Sequence, residues 1–231
     1  MLRTSALAGL LFCQMACAFS LTPFSAEYKA YRSGMELGTA TQNLSKNDAG
    51  EYTLRFESSA SFLFLSDKRS ETSVFNVNED ELLVPQHYRY KRTGTGKDKN
   101  TTIRFSASDN QIVVNQDEVI PWQDETDNQL FHLDIRRRIA SGESRFTYST
   151  INEKGNKDEE TFAVTGKERL TLPMGEIDTV KLHKVRENSK RETLIWLAPQ
   201  LDYQMVRLQQ LKDGKEQLDI QLNTYSHNNK K

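Results

Sequence analysis

The sequence has 231 residues, of which 36% are hydrophobic and 27% charged, enough to build one large domain or, less readily, two small ones. Its 31 Lys and Arg residues face 32 Asp and Glu residues, so the formal net charge is −1. This balance argues against a nucleic-acid partner, because neutralising phosphates requires a basic surface. After residue 20 no apolar run approaches the roughly 20 residues of a membrane-spanning helix.

The first 18 residues have the three parts of a secretory signal peptide. Arg3 supplies the positive charge, a short apolar run follows, and small residues at 16–18 precede a cleavage site between Ala18 and Phe19. We therefore expect a mature chain of residues 19–231, forming a single β-rich domain in the periplasm. A buried N-terminal helix is the weaker alternative, because no amphipathic pattern continues beyond this segment.

Both cysteines, Cys13 and Cys17, lie within this leader. Lipid anchoring at Cys17 is disfavoured, because the preceding residues lack the Leu-like side chain expected three positions earlier. Ordinary cleavage would leave a mature chain without cysteine. That excludes a disulfide framework, a Cys-ligated metal and a thiol nucleophile.

Alternation of apolar and polar residues predicts β-strands along most of the chain, as in Phe24, Ala26 and Tyr28. A turn at 46–50 joins two of these strands. Short hairpins without βαβ alternation favour an antiparallel meander, and a dozen strands favour a curled half-barrel or barrel-like sheet. The predicted strands lie near 24–32, 36–45, 51–59, 70–77, 86–92, 101–106, 111–115, 145–151, 159–165, 176–186, 191–197, 204–211 and 216–223.

The last predicted hairpin has a register that can be argued from its apolar residues. A three-residue loop at 212–214, with glycine in the left-handed conformation, sets Leu208 opposite Leu218 and Val206 opposite Ile220. A two-residue turn in the same place would set a glutamine against Leu218. The three-residue loop is therefore the prediction.

A second hairpin is predicted around Gly155 on the same grounds. A turn centred on this glycine sets Tyr148 opposite Phe162 and Phe146 opposite Val164. Aromatic residues then face apolar partners across the two strands.

One helix is predicted between the two halves of the chain, from Thr126 to Ile139. Thr126 and Gln129 have the spacing of a capping box, and Gly142 can end the helix. A wide apolar arc predicts that the helix packs on the concave side of the sheet. The arc consists of Leu130, Phe131, Leu133, Ile135 and Ile139.

Catalytic and metal-binding patterns are weak. The sequence has no nucleophile elbow, phosphate loop or dinucleotide fingerprint. The four histidines have no ligand spacing, so surface or interfacial positions explain them better than zinc binding. We expect no enzyme, no cofactor and no metal. The histidines are His87, His132, His183 and His227.

The run Phe62-Leu63-Phe64-Leu65 cannot be hidden on one face of a strand, because all four side chains are large and apolar. It is either a segment buried on both faces or part of an apolar ligand mouth, and burial is favoured. On the second interpretation, Phe62 and Phe64 would line a ligand site together with Phe131 and Ile135.

The mature chain resembles an uncharacterised proteobacterial family, domain of unknown function 3108. The resemblance implies a periplasmic β-rich protein and carries no active site. Met205 stands where that pattern has a proline. The matching residues are Gly38, Leu83-Val84-Pro85 with Tyr88, Asp127, Leu130 and Arg136, Leu172-Pro173-Met174-Gly175, and Trp196-Leu197-Ala198-Pro199.

Two functions remain open at this point. The leading hypothesis is an exported, non-enzymatic periplasmic protein whose concave sheet holds an apolar or lipid-like envelope ligand, by analogy with carrier folds. The alternative is an envelope protein–protein interaction module whose sheet encloses a filled core.

Overall fold

A computed structural model describes residues 21–187 and 190–227 of the chain. The predicted leader, with Cys17 and the cleavage site between Ala18 and Phe19, lies outside the described residues.

The described chain is built almost entirely of β-strands. One α-helix, α1 (Leu130–Ala140), and one 3-10 turn (Pro199–Leu201) interrupt them. The strands are β1 (Phe24–Arg32), β2 (Met35–Lys46), β3 (Tyr52–Phe62), β4 (Leu65–Val77), β5 (Leu83–Gly94), β6 (Lys99–Ser106), β7 (Gln111–Val114), β8 (Glu118–Pro121), β9 (Thr126–Asp127), β10 (Arg145–Ile151), β11 (Lys157–Leu172), β12 (Gly175–Val185), β13 (Arg191–Ala198), β14 (Gln204–Lys212) and β15 (Lys215–His227).

All fifteen strands form one curled sheet. Its order runs from β8 back to β1, continues through β15, and then runs back to β9. Two meanders therefore meet where the first strand pairs with the last, and every neighbouring pair is antiparallel except β9 with β10. The predicted mainly β fold, a curled antiparallel sheet with one helix on its concave side, is confirmed.

The two ends of the sheet approach each other without a shared ladder. The β10–β11 turn reaches the opposite meander, where Thr101 Oγ1 donates a 2.8 Å hydrogen bond to the carbonyl of Glu153. A side chain at Gly155 would collide with Val114. Ile151 is buried among residues of β5 to β7. Side chains and a turn therefore hold the curled ends together.

Alternating burial explains why these sequences form strands. In β1, Phe24, Ala26 and Tyr28 are buried while the residues between them are more exposed, which is the pattern of a sheet with one covered face. Helix α1 completes the core. Leu130 and Leu133 pack with the cluster around β1, whereas Phe131 and Ile135 pack with Phe162 and its neighbours.

The predicted start of the helix is wrong. Thr126 belongs to β9, and the helix begins four residues later, with no side-chain hydrogen bond from its N-cap residue, Gln129. Instead, Asp127 Oδ1 accepts hydrogen bonds from the backbone amides of Gln129 (2.8 Å) and Leu130 (3.0 Å). A carboxylate accepts two amides better than a hydroxyl can, so Asp127 displaces the predicted capping box. Gly142 follows the helix as predicted.

The predicted register of the β14–β15 hairpin is also wrong. Asp213 and Gly214 form a two-residue turn, both with positive φ, and a bulge follows it. The bulge shifts the ladder so that Leu208 lies opposite Ile220 and not Leu218. Apolar still faces apolar, because the turn and bulge together restore the alternation that the turn alone would break.

The register of the hairpin around Gly155 also differs by two residues from the prediction, here without a bulge. Phe146 pairs with Phe162, and Tyr148 pairs with Glu160. The Asn152 side chain accepts the amides of residues 154 and 156, which widens the loop to five residues. Side-chain hydrogen bonds of this kind compete with a tight turn. The predicted turn between β2 and β3 is confirmed.

The favoured burial of residues 62–65 is wrong. Phe62 and Leu65 pair across a turn at the end of the β3–β4 hairpin, and all four side chains are exposed. The run is a turn between two strands and not the middle of one strand, so no second layer covers it.

Candidate functional site

The helix and the concave face of the sheet enclose a cavity of about 150 Å³. Helix α1 contributes its inner face, and β3, β4, β13, β14 and β15 contribute the floor and rim. A space of this size between packed layers is uncommon in protein interiors, which have few voids larger than a water molecule. It is therefore the first candidate for a binding site.

One wall of the cavity is apolar. Leu133 and Ile135 of the helix and Ile195 of β13 are buried, whereas the rim residues Leu208 and Ile220 are only half-buried. Half-buried apolar side chains at a rim leave apolar surface for a ligand to cover. The remaining apolar lining residues are Phe56, Leu197 and Met205.

The other end of the cavity is polar and held by a buried hydrogen-bond chain. Arg136 Nη1 donates to Gln204 Oε1 at 2.8 Å, and Gln204 Nε2 donates to both Tyr28 Oη (2.7 Å) and Gln42 Oε1 (2.9 Å). Arg136 Nε also donates to the carbonyl of Asp202. Because each group fixes the next, the polar end is preorganised.

Glu71 adds a half-buried carboxyl group to the lining of the cavity. Burial raises its pKa above the ordinary value, opposed by hydrogen bonds from Tyr88 Oη (2.7 Å) and Asn128 Nδ2 (3.3 Å) to Oε2. Desolvation disfavours the charged form of a carboxyl group.

Asp127 lies fully buried at the start of the helix. Burial raises its pKa from 3.8 to about 6, although the amides of Gln129 and Leu130 and the hydroxyl of Ser73 lower it. Within the described ranges, Asp127 Oδ2 and the cavity-lining Gln129 Oε1 are buried without a hydrogen-bond partner. Of the two, Gln129 Oε1 gives the cavity an acceptor that the protein does not satisfy.

His132 also lines the cavity, and its ring lies 4.1 Å from that of Phe131. Burial, followed by the positive charge of Lys184, lowers its pKa to about 4. The imidazole is therefore neutral near pH 7 and adds a hydrogen-bonding group without charge.

Two of the four sequence-predicted lining residues are brought together. Phe131 and Ile135 belong to the same buried cluster, but of the two only Ile135 lines the cavity. Phe62 and Phe64 lie at the exposed end of the β3–β4 hairpin.

Sequence reasoning missed most of the rim. Phe56, Leu208 and Ile220 alternate with polar residues on their strands, as core residues do, so their pattern could not separate a cavity wall from a filled core. Arg136 carried a signal, because it follows Ile135 of the apolar arc and charged groups are rarely buried without a role.

Two further observations concern metal binding and membrane-spanning helices. In residues 21–187 and 190–227, no group of three or more His, Cys, Asp or Glu side chains is placed to hold a metal ion. None of the helices in that part of the chain has both the length and the apolar character to cross a membrane.

On the outer face, a groove of about 450 Å³ is lined by exposed arginines, including Arg55, Arg89 and Arg104. That groove is open surface and not an enclosed site.

Comparison with solved structures gives the fold. A β-barrel-like protein of domain of unknown function DUF1849 from Brucella abortus has a TM-score of 0.67 at 10% identity, covering 92% of this chain and 100% of its own. A Bacteroides fragilis protein described as exported, with a YmcC-like fold, has a TM-score of 0.35 at 12% identity and covers 91% and 100%. A protein from Parabacteroides distasonis described as a lipoprotein has a TM-score of 0.33 at 11% identity and covers 89% and 95%.

Sequence comparison gives one further finding. A family model described as "Protein of unknown function (DUF3108)" matches residues 24–221, from the first strand into the last. No curated protein matches the sequence.

Proposed function

Because the chain belongs to the DUF3108 family of proteins of unknown function, we propose a function from its geometry: an exported, non-enzymatic envelope protein that holds an apolar or lipid-like molecule beneath α1. The observation that carries the proposal is the cavity of about 150 Å³, with an apolar wall and a hydrogen-bonded polar end. Ligand sites in proteins commonly combine these two kinds of surface.

The size of the cavity limits what it can enclose. An apolar cavity of about 150 Å³ holds a group of roughly the size of benzene. A lipid-like ligand would therefore place the end of a chain or a ring inside and continue past Leu208 and Ile220 at the rim. The polar end, with Arg136 and Gln204, favours a ligand that also carries a hydrogen-bonding group.

The proposal includes location in the periplasm. It rests on the leader pattern that ends between Ala18 and Phe19. N-terminal sequencing of the protein from a cell-envelope fraction tests this part. A chain that starts at Phe19 agrees with it, and an intact Met1 contradicts it. An acylated Cys17 would contradict cleavage before Phe19 but would leave export itself in place.

Ligand binding is tested by narrowing the cavity. Ile220→Phe adds volume at the rim, and Leu218→Phe on the same strand adds it outside the lining residues. We expect wild type and Leu218→Phe to bind an apolar fluorescent dye. Ile220→Phe should bind it at least about tenfold more weakly, because the buried apolar contact is lost. Lipids extracted from the purified protein should displace the dye.

A second candidate function is a protein–protein interaction module with a filled core. The observation in its favour is that Phe131, Phe146 and Phe162 pack against one another beside the cavity, with ring centroids 5.7 Å (Phe131–Phe162) and 6.4 Å (Phe146–Phe162) apart. If wild-type protein binds no dye and yields no lipid, the ligand-binding proposal fails and this second candidate gains support.

A further inference from the structure

The β3–β4 turn exposes four consecutive large apolar side chains, here called the apolar tip (residues 62–65). Their exposed fractions are 41% for Phe62, 82% for Leu63, 98% for Phe64 and 59% for Leu65. Single exposed apolar residues are normal on protein surfaces, but a contiguous group of this kind marks an interaction surface.

The apolar tip is held in a fixed conformation by the neighbouring turn. Ser66 donates its amide to Thr95 Oγ1 at 2.9 Å, and the Thr95 amide donates to the Ser66 carbonyl at 2.8 Å. Thr95 Oγ1 also donates to the Phe64 carbonyl at 3.5 Å. Gly94 allows this approach, because a Cβ there would collide with the Ser66 carbonyl. Paired backbone groups at the tip reduce the cost of entering an apolar layer.

Basic residues are concentrated in the turn beside the apolar tip. Alternate turns of an antiparallel meander lie at the same end of the sheet, so the β1–β2, β3–β4 and β5–β6 turns are neighbours. Residues 91–99 contain four basic side chains and one acidic one, Asp98, and Arg92 of this set is paired with Asp67 of β4. Met35 of the first turn, 51% exposed, adds apolar surface. The basic residues are Lys91, Arg92, Lys97 and Lys99.

The opposite end of the same strands has the reverse charge. The β4–β5 turn there contains Glu79, Asp80 and Glu81 in succession, and the β2–β3 turn contains Asp48. This half of the molecule is therefore polarised in charge, with basic residues beside the apolar tip and acidic residues at the other end, where Val77 and Leu82 are also exposed. A negatively charged surface attracts the first end and repels the second.

We propose that the apolar tip inserts into the surface of a phospholipid bilayer that carries anionic headgroups. The apolar side chains would enter the boundary between headgroups and acyl chains, while Lys97 and Lys99 contact the headgroups. Four side chains on a narrow turn fall short of the roughly 800 Å² per partner that stable protein–protein interfaces bury. The tip shares no residue with the cavity, so this proposal stands or fails independently of the proposed ligand.

The test uses protein that starts at Phe19, so that the apolar leader cannot contribute; every described element lies within this chain. Binding is measured by co-sedimentation with vesicles of phosphatidylcholine alone and of phosphatidylcholine mixed with phosphatidylglycerol. We expect wild type to prefer the anionic vesicles. Phe64→Glu should weaken binding at least about tenfold, because a large apolar group is replaced by a charge.

Matched variants separate insertion from general loss of apolar surface. Val119→Glu makes the same kind of change at another exposed apolar residue, 54% exposed on β8, and should bind as wild type does. Phe64→Trp should retain binding, and its fluorescence should shift to the blue with anionic vesicles. Lys97→Ala should weaken binding to anionic vesicles about fivefold and lose this effect in high salt.

Three results would overturn the proposal. They are absence of wild-type binding to either kind of vesicle, equal binding by wild type and Phe64→Glu, and equal loss with Val119→Glu. If Phe64→Glu instead converts a concentration-dependent dimer into a monomer, without any change in vesicle binding, the tip is a contact between two copies of the chain.

Discussion

At the scale of single residues, Asp127 links the helix to the sheet. Its Oδ1 accepts two helix amides and, at 2.8 Å, the hydroxyl of Ser73 in β4. The same burial that positions this carboxyl group raises its pKa from 3.8 to about 6. A residue that joins two elements in this way also makes their association dependent on pH.

Titration of Asp127 should therefore lower the stability of the fold between pH 4 and pH 7, whereas His132, whose pKa is lowered to about 4, contributes in the opposite direction over the same range. The pKa in the folded state is raised, so the contribution of neutral Asp127 is fully present below about pH 4 and is lost as the pH rises through about 6. By linkage, the loss amounts to up to about 3 kcal/mol. Asp127→Asn keeps an oxygen acceptor for the amides and cannot ionise, so its stability relative to wild type should increase as the pH rises from 4 to 7.

Urea unfolding of wild type and Asp127→Asn at pH values from 4 to 7 measures this difference. Glu71, whose pKa is raised, and His132, whose pKa is lowered, are present in both proteins, so the difference between the two curves reports Asp127 together with its interaction with Glu71. Parallel curves for the two proteins would contradict the prediction. If Asp127 ionises freely in the fold, the curves should not separate at all.

Phe131 and Phe64 offer a second comparison between single residues, with the same substitution in opposite surroundings. Phe131 is 5% exposed and stacks on Phe162 with ring centroids 5.7 Å apart, whereas Phe64 is 98% exposed. Phe131→Ala should lower the free energy of unfolding by about 3–5 kcal/mol. Phe64→Ala should change it by less than about 0.5 kcal/mol, as for most surface positions.

Chemical denaturation of both variants checks this prediction. A small loss for Phe131→Ala would mean that the side chain faces unfilled space, which would place it in the ligand cavity after all. A large loss for Phe64→Ala would mean that the apolar tip is packed in the folded protein.

At the scale of elements, the β14–β15 hairpin shows how far sequence reasoning reaches. The alternation of Leu208, Ile220 and Leu222 identified both strands, because burial of one face requires it. The register was missed by two residues, since a bulge next to Asp213-Gly214 leaves the alternation intact. Periodicity determines which face is covered, but a bulge changes the partner without changing the face.

The same hairpin gives a prediction about two positions on its covered face. Leu222 is fully buried beside Tyr28, whereas Leu208 is half-buried at the cavity rim. Leu222→Ala should lower the free energy of unfolding by about 2–5 kcal/mol. Leu208→Ala should cost distinctly less, because the rim has fewer packed neighbours to lose. Equal losses, measured by urea unfolding, would show that the rim is as tightly packed as the core.

The start of the helix was missed for a related reason. Thr126 and Gln129 have the spacing of a capping box. In the fold, Thr126 pairs with β10, and Asp127 accepts the backbone amides at the start of the helix. Residue spacing alone does not show this. Tertiary contacts decided between two residues that are both good caps. The candidate site depended on tertiary contacts even more, because Ile135 was identified by its arc but the rim residues come from three separate strands.

At the scale of the whole molecule, the class of fold could be predicted from the sequence. The joining of two meanders into one continuous sheet could not. Many short alternating strands with a single helix predict a large curled sheet. The partner of β1 across the sheet could not be deduced, because pairing between distant strands leaves no local pattern. The exposure of residues 62–65 was missed because four apolar residues in a row look the same in a buried strand and in a turn.

The pairing of the first strand with the last has a consequence for how the chain folds. Strand β1 keeps one open edge until Lys215–His227 arrives, so a growing or emerging chain cannot complete its sheet from the N-terminal meander alone. Contacts of such large sequence separation form slowly, and open edges meanwhile attract other chains. Pairing of the thirteen-residue strand β15 with β1 should therefore be a late step in folding. Until that step, the free edge of β1 can pair with other chains and lead to aggregation.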